Sequence, residues 1–396
     1  MRELPPDWEL TTVSGIATAI ISGGTPSRDV AQYWGGDIPW VTPGELTNLK
    51  GKYLADTAEA ITSAGLAGSG ARLLPPNALL VTTRATLGSV ALTAGSMTTN
   101  QGFKSIAFTH RADPDFYYHL FATLKRELIR RASGTTFLEI SGRQFAQIEV
   151  PLPPLAEQRK IAEVLDLIDE QIRTTRAMLS KYASQAEGVL DTLVSEASDV
   201  PQESLGALCA ADICYGIVQS GEFVAGGIPV LSIRDVGGDF ETGLHRTDPA
   251  IDAQYRRSRV APGDVLLSIK GTIGRVGVAP EHYVGNISRE LARLRFGRKI
   301  LPEFARVYFL SREAQRRLDL AVVGTTRAEV SIHALKRFSV PVPSLVRQRR
   351  MVDAYRCVEE RILAEERELL KLQALKLGLA DDLLMGRVRV PAGAVS

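Results

Sequence analysis

Val150-Pro151-Leu152-Pro153-Pro154-Leu155-Ala156-Glu157-Gln158-Arg159-Lys160 returns 190 residues later as Val340-Pro341-Val342-Pro343-Ser344-Leu345-Val346-Arg347-Gln348-Arg349-Arg350. In both copies prolines at alternate positions close an extended run, bias the residue before each away from helix, and are followed by a long apolar-periodic segment. Each copy therefore reads as a hinge from a globular unit into a helix. The same spacing aligns Gly134-Thr135-Thr136, Glu139, Ile140 and Ser141 with Gly324-Thr325-Thr326, Glu329, Val330 and Ser331. Solenoid repeats run about 20–50 residues, so a period this long marks a duplicated domain.

With 396 residues, 45% hydrophobic and 23% charged, the composition is that of an ordinary globular protein with room for a core in each half. The N-terminus lacks an apolar signal core, and no apolar run reaches the roughly 18 residues of a membrane span. A cytoplasmic protein without a membrane partner is expected. Cys209, Cys214 and Cys357 fit no zinc or disulfide spacing and read as buried thiols. The net charge is only +2, which argues against coating nucleic acid by bulk electrostatics. Residues 1–154 carry 13 basic and 13 acidic side chains, and residues 201–340 carry 19 and 15. Any DNA contact must then use local patches.

Within the first half, Ile38 to Leu46 reads as an edge strand because of its prolines. Ala78 to Thr83 reads as a buried strand, Gly88 as a tight turn or bulge, and Pro114 to Arg131 as a basic amphipathic helix. The second half repeats the order: Ile228 to Val236 answers Ile38 to Leu46 at 190, Gly263 to Gly274 answers Asn77 to Gly88 at 186, and Asn286 answers Asn100 at 186. After the first hinge, Ile161, Leu165, Ile168, Ile172, Thr175, Leu179, Tyr182, Ala186, Val189 and Leu193 alternate steps of four and three, the pattern of a coiled-coil seam. The second seam is Met351, Tyr355, Val358, Ile362, Glu365, Leu369, Leu372, Lys376, Leu379 and Leu383, with Leu363, Leu370, Leu377 and Leu384 as a neighbouring apolar line. Two helices of about 40 residues, about 60 Å long, need a packing partner, and each is the other's nearest candidate.

No phosphate loop, His-Glu-x-x-His, Gly-x-Ser-x-Gly elbow or Asn/Asp-Pro-Pro-aromatic methyltransferase loop occurs. His110, His119, His245, His282 and His333 are isolated and read as surface or core residues. The paired hinges, one recognition-domain length apart, resemble those of the specificity subunits of Type I restriction-modification systems. The resemblance covers nearly the whole chain. It implies an α+β fold of two tandem, duplicated target-recognition domains of short strands plus helices, at 1–154 and 200–344. Each is followed by a long helix, at 155–199 and 345–390, and the two helices pair as an antiparallel coiled coil. It further implies a chain that is not an enzyme and carries no cofactor or metal. Each domain would read half of a bipartite duplex-DNA target beside modification subunits that carry S-adenosylmethionine and methylate adenine, and in many systems beside restriction motor subunits.

Arg84 and Lys270 occupy equivalent strand ends and can reach a phosphate or a guanine edge; the alternative is a solvated loop cation. Lys104 beside Asn100 and Gln101, and Arg289 beside Asn286 and Ser288, offer amide and cation sets for base edges, against turn capping as the alternative. Arg275, Arg234 and Thr42 lie on the same loops. The basic helix faces with Lys125, Arg126, Arg130 and Arg131, and with Arg306, Arg312, Arg316 and Arg317, read first as solvated. Two competing functions stay open: a catalytically inert DNA-binding scaffold of another phage-defence complex, and a DNA-modifying enzyme with an unrecognised site.

Overall fold

A computed structural model of the chain describes residues 4–47, 49–84, 86–132, 139–196, 199–323 and 328–390. The paired Gly-Thr-Thr triplets lie outside them. The chain forms two compact units, Met1–Thr175 with Glu368–Ser396, and Arg176–Arg367. Each unit thus combines one of the duplicated domains with part of both long helices.

Unit 1 carries a five-stranded sheet in the order Ala17–Ser22, Phe103–Phe108, Leu79–Thr82, Val90–Thr93, Tyr53–Leu54, and a three-stranded sheet in the order Glu59–Ile61, Trp34–Val41, Thr98–Thr99. Unit 2 repeats both: Cys214–Tyr215, Leu291–Leu294, Val265–Ser268, Val276–Val278, without the fifth strand, and His245–Thr247, Ile228–Leu231, Asn286–Ile287. Leu79–Thr82 and Val265–Ser268 are buried along their whole length, as a central strand of β-branched and aliphatic residues should be. The turn ahead of each needs a left-handed residue, and Asn77 (φ 61°) supplies in one copy what Gly263 (φ 80°) supplies in the other.

Three expectations are corrected here. Trp34–Val41 and Ile228–Leu231 are central rather than edge strands. Their prolines are tolerated because the parallel ladder begins one residue later, at Trp40 opposite Thr98 and Val230 opposite Asn286. The single helix expected over 114–131 is two, Pro114–Thr123 and Lys125–Arg131, with Thr123 Oγ1 donating back to Leu120 O at 2.7 Å just before the break. Cys357 is exposed and the other two thiols half-buried; burial pushes Cys209 up to about 12. The basic faces stay mostly exposed, as expected, and carry ion pairs, Arg130 and Arg131 with Glu127, Arg306 with Glu359, Arg312 with Glu187 and Asp191, and Arg316 with Glu313.

The long helices are Leu155–Glu196 and Leu345–Leu384. The second ends six residues short of position 390, where Gly386 turns the chain with φ 67°. They pair antiparallel. In unit 1, Ile168 and Ile172 pack on Leu372, flanked by Leu369 and Leu379, and Lys376 fills its polar seam position by pairing with Asp169 at 2.5 Å. Ile161, Leu165, Leu383 and Leu384 enter the recognition-domain core. In unit 2, Leu190, Leu193, Met351 and Tyr355 enter the second core, with Val189, Val358 and Ile362 at its margin. Leu179 is half-buried. The neighbouring apolar line does not widen this face, since Leu363, Leu370 and Leu377 are 45%, 66% and 74% exposed and only Leu384 is buried. One seam is enough to pair the helices, so the second line faces outward.

The hinges work through a buried glutamine. Gln158 accepts from Asp113 N–H (2.7 Å) and donates to the carbonyls of Arg111 (2.9 Å) and Pro153 (2.8 Å). Gln348 accepts from Leu301 N–H (2.8 Å) and donates to Lys299 (2.9 Å) and Pro343 (2.8 Å). The first proline of each hinge, Pro151 and Pro341, sits in a short two-stranded ladder, Glu149–Leu152 against Glu9–Thr12 and Ser339–Pro341 against Gln202–Ser204. Beside Gln158, Glu157 accepts from Trp8 Nε1 (3.0 Å) and from Arg389 (2.6 and 2.7 Å). Beside Gln348 the charges reverse, and Arg347 reaches Asp199 at 3.7 Å. Unit 1 adds a network of its own: Lys52 pairs with Asp115 (2.6 Å) and Asp166 (2.5 Å), and His119 Nε2 meets Asp166 at 2.9 Å. Burial pushes the Asp166 carboxyl up, but the bonds from His119 and Lys52 outweigh it and hold it below the ordinary carboxylate range. His119 is therefore not isolated.

Replacing Gln158 with Leu strands one buried N–H and two carbonyls. At about 1–3 kcal/mol per stranded group, only partly additive, the expected loss is about 2–4 kcal/mol. Urea unfolding of the full chain measures it, and an unchanged midpoint contradicts the role given to this side chain.

Candidate nucleic-acid interface

The loops after the two central strands are superimposable in their bonding. Thr82 Oγ1 donates to Thr86 O and Ser268 Oγ to Thr272 O, both at 2.6 Å. Gly88 N–H closes on Thr82 O (2.9 Å) and Gly274 N–H on Ser268 O (3.0 Å). Both glycines have φ near 90°, at 87° and 89°, and a Cβ on Gly274 would lie 2.1 Å from Gln315 Oε1. These positions therefore require glycine. The loop so fixed presents Arg84 in one unit and Lys270 in the other.

Neither cation is simply solvated. Arg84 pairs with Glu139 at 2.7 Å and Lys270 with Glu329 at 3.0 Å, a repeated cation–carboxylate pair built from the two aligned segments. Lys270 Nζ also lies 5.7 Å from the ring centre of Tyr215, within cation–π range. Both side chains stay part-exposed, so a phosphate or base edge can compete for them.

The other candidates divide. Gln101, Arg234, Arg275 and Arg289 are exposed. Lys104 is buried in the strand Phe103–Phe108, and burial pushes its ammonium below the ordinary lysine value, with Glu139 opposing and Arg84 adding to the effect. It lies behind the Arg84–Glu139 pair. Asn100 caps a turn, its Oδ1 accepting from Gly102 N–H at 2.8 Å. Thr42 and its counterpart Ser232 are tied to Glu45 and Asp235, whose carboxylates take their backbone N–H groups at 2.6 and 2.7 Å. Asn286 is fully buried. It donates to Asp252 (2.9 Å) and Tyr255 O (3.2 Å) and accepts from Ser258 (2.7 Å). Its amide holds the segment 248–258 in place.

The strand register also corrects the alignment of the copies. Asn100 N–H bonds Val41 O and Ser288 N–H bonds Leu231 O, so Asn100 answers Ser288 and not Asn286. Two extra residues precede this point in unit 2. The exposed loop tips are thereby Gln101 in one unit and Arg289 in the other. Residues outside the sequence-derived set join the same faces. Arg28 stacks 3.8 Å over Trp34 and pairs with Glu59 in unit 1. Unit 2 exposes Phe223 and Tyr215. Their only sequence signal is an aromatic set close to glycines, as in Gly221-Glu222-Phe223 and Tyr215-Gly216. Among the described residues no cluster of three or more His, Cys, Asp or Glu could hold a metal ion, and no helix is long and apolar enough to cross a membrane.

Residues 5–181 and 224–373 match the family model of the Type I restriction modification DNA specificity domain. The chain is 35% identical over 176 residues to the type I restriction enzyme MjaIX specificity subunit of Methanocaldococcus jannaschii, covering 44% of this chain and 40% of that one. It is 30% identical over 269 residues to the EcoBI specificity subunit of Escherichia coli, covering 60% and 57%. The matches thus span about half the length of these relatives. A solved chain from work on complex assembly and conformational transition of the type I R-M system has a TM-score of 0.64 at 22% identity, over 98% of this chain and 100% of that one. The HsdS subunit from Thermoanaerobacter tengcongensis gives 0.51 at 20% identity, over 98% and 99%. At such identity the likeness is one of fold.

The division of candidates is testable in one comparison. Asn286→Ala leaves Asp252 and Ser258 short of a buried partner and is expected to lower stability by about 1–3 kcal/mol, with faster amide exchange over 248–258. Arg289→Ala, on an exposed tip, should change stability by no more than about 0.5 kcal/mol. Equal effects of the two substitutions would contradict this assignment.

Proposed function

The chain belongs to the family of Type I restriction-modification DNA specificity domains, and from that membership we propose that it is the sequence-reading subunit of a Type I restriction-modification complex. In this reading each unit reads one half of a bipartite duplex target. Modification subunits carrying S-adenosylmethionine supply adenine methylation, restriction motor subunits join them where present, and this chain performs no chemistry itself. The observation that carries the reading is the repeated loop with its cation–carboxylate pair, Arg84–Glu139 and Lys270–Glu329. One frame is built twice, with different side chains at its tips, Gln101 in one copy and Arg289 in the other. Two such frames read two different sequences with the same docking pose.

The physics assigns the parts. Arg84 and Lys270, each held by a glutamate, lose less freedom on contact than a loose cation would, and an arginine or lysine can serve guanine O6 and N7. Gln101 suits adenine N6 and N7, and Arg289 guanine. Arg234 and Arg275 contact phosphates and so position the duplex, while Lys104, Asn100, Thr42 and Asn286 act behind the surface by shaping the loops.

Arg84→Ala and Lys270→Ala, each in the full chain complexed with modification subunits, should cost on the order of 1–3 kcal/mol at fixed salt and relax specificity in one half-site only, a different one for each. Selection from randomised duplexes reads this directly. Equal affinity of the wild type for every duplex would sink the function, and unchanged selection by both variants would sink these two contacts.

The paired helices set the spacing. Inserting seven residues into both helices at facing levels keeps the seam and lengthens the pair by about 10 Å, close to three base pairs at about 3.4 Å each. The selected half-sites should keep their sequences and move apart by about three base pairs. Retention of the original spacing in a functional variant would show that the helices do not measure the DNA. Four residues in one helix only turn it by about 40° and should instead abolish the pairing.

A further inference from the structure

Phe223 is 61% exposed and belongs to no core cluster. Its loop is nevertheless held in place, since Val224 N–H donates to Arg246 O at 2.9 Å and Arg246 Nη1 to Gly227 O at 3.0 Å. The ring stands edge-to-face on His245, with centroids 6.3 Å apart. Together with Arg234, Glu241 and Arg246 these residues line an open cavity of about 410 Å³. At its wall His245 backs the Phe223 ring and keeps its own Nε2 buried, out of reach of the open cavity.

The cavity continues the face that carries Lys270. Arg275 Nη1 donates to Ile233 O at 3.3 Å, and the next residue, Arg234, donates to Gly243 O at 3.4 Å. Lys270, Arg275, Arg234 and Arg246 therefore follow one another toward Phe223. The other unit gives the contrast. Strand pairing makes Glu59, opposite Trp40, the counterpart of His245, opposite Val230. There the place is closed from within, because Arg28 grips Glu59 and covers Trp34. In unit 2 the same place is left open, lined by two arginines and one glutamate and rimmed by an aromatic ring.

We propose that this cavity is a second base-reading site of unit 2, taking the thymine edge of an A·T pair in its DNA half-site. The thymine methyl packs on Phe223, the apolar contact by which that base is told apart in the major groove. The guanidinium groups of Arg234 and Arg246 take the neighbouring polar edges and phosphate oxygens. The inference rests on the DNA-reading function above and adds to it the residue that discriminates and the base it discriminates.

The test replaces each thymine of this half-site in turn by deoxyuridine and measures binding by the full chain in complex with modification subunits. At one position, loss of the methyl should weaken the wild type about fourfold, the worth of one buried methylene, and leave Phe223→Ala unaffected. Phe223→Ala should also lose its preference at that position alone in selection from randomised duplexes. Equal effects of deoxyuridine substitution on wild type and Phe223→Ala at every position, an unchanged selected sequence, or a half-site without any A·T pair would each overturn the proposal. A wild type that binds all duplexes alike would overturn the DNA-reading function itself, so the two failures are distinct. Phe223 lies outside the core, so its removal does not confound the result with unfolding.

Discussion

The amide of one buried glutamine per unit fixes where each long helix starts. Gln158 and Gln348 sit in the first turn of a helix, yet their side chains bond backward to the hinge and sideways to the chain just ahead of a recognition-domain helix. A primary amide is the natural residue here, because one group must accept a backbone N–H while donating to two carbonyls. A glutamate could not donate, and a leucine could do neither. The prolines stiffen the approach and the amide sets the angle, so the direction of a helix about 60 Å long follows from three short bonds.

Around that fixed point the charges differ between the copies without disturbing it. Glu157 finds Arg389 just past the second long helix, and Arg347 finds Asp199 just past the first. The reversal of sign at the hinge is matched by a reversal at its partner. The exposed Arg347–Asp199 pair contributes little to stability, but each pair makes its own partnering favourable and a crossed pairing of like charges unfavourable. The Lys52, Asp166 and His119 network gives unit 1 a further anchor between its domain and its helix.

Much of this was legible as pattern. The duplication, the hinges, the seam and the equivalence of Arg84 with Lys270 all rest on spacing, which sequence displays directly. What failed was everything decided by three-dimensional register or burial. A two-residue difference moved Asn286 off its apparent counterpart and into the interior, where an amide that looked suited to adenine secures Asp252 and Ser258 instead. Prolines that argued for edge strands stand in central ones, because the ladder on one side starts just after them. The second leucine line satisfies helical periodicity but not packing, since periodicity cannot say which face meets a partner. Phe223 and His245 carry no motif, and only the exposed ring beside an open cavity sets them apart.

The hinge glutamines touch the recognition domains only through main-chain groups: Asp113 N–H and Arg111 O in one, Leu301 N–H and Lys299 O in the other. A joint of that kind is indifferent to the side chains it holds. A domain that brings a free N–H and a carbonyl to those two points can make the same joint, provided its core also receives helix side chains such as Ile161 and Leu165. The frame thus behaves as a socket, and loop surfaces away from it can be rewritten without renegotiating the joint that aims them.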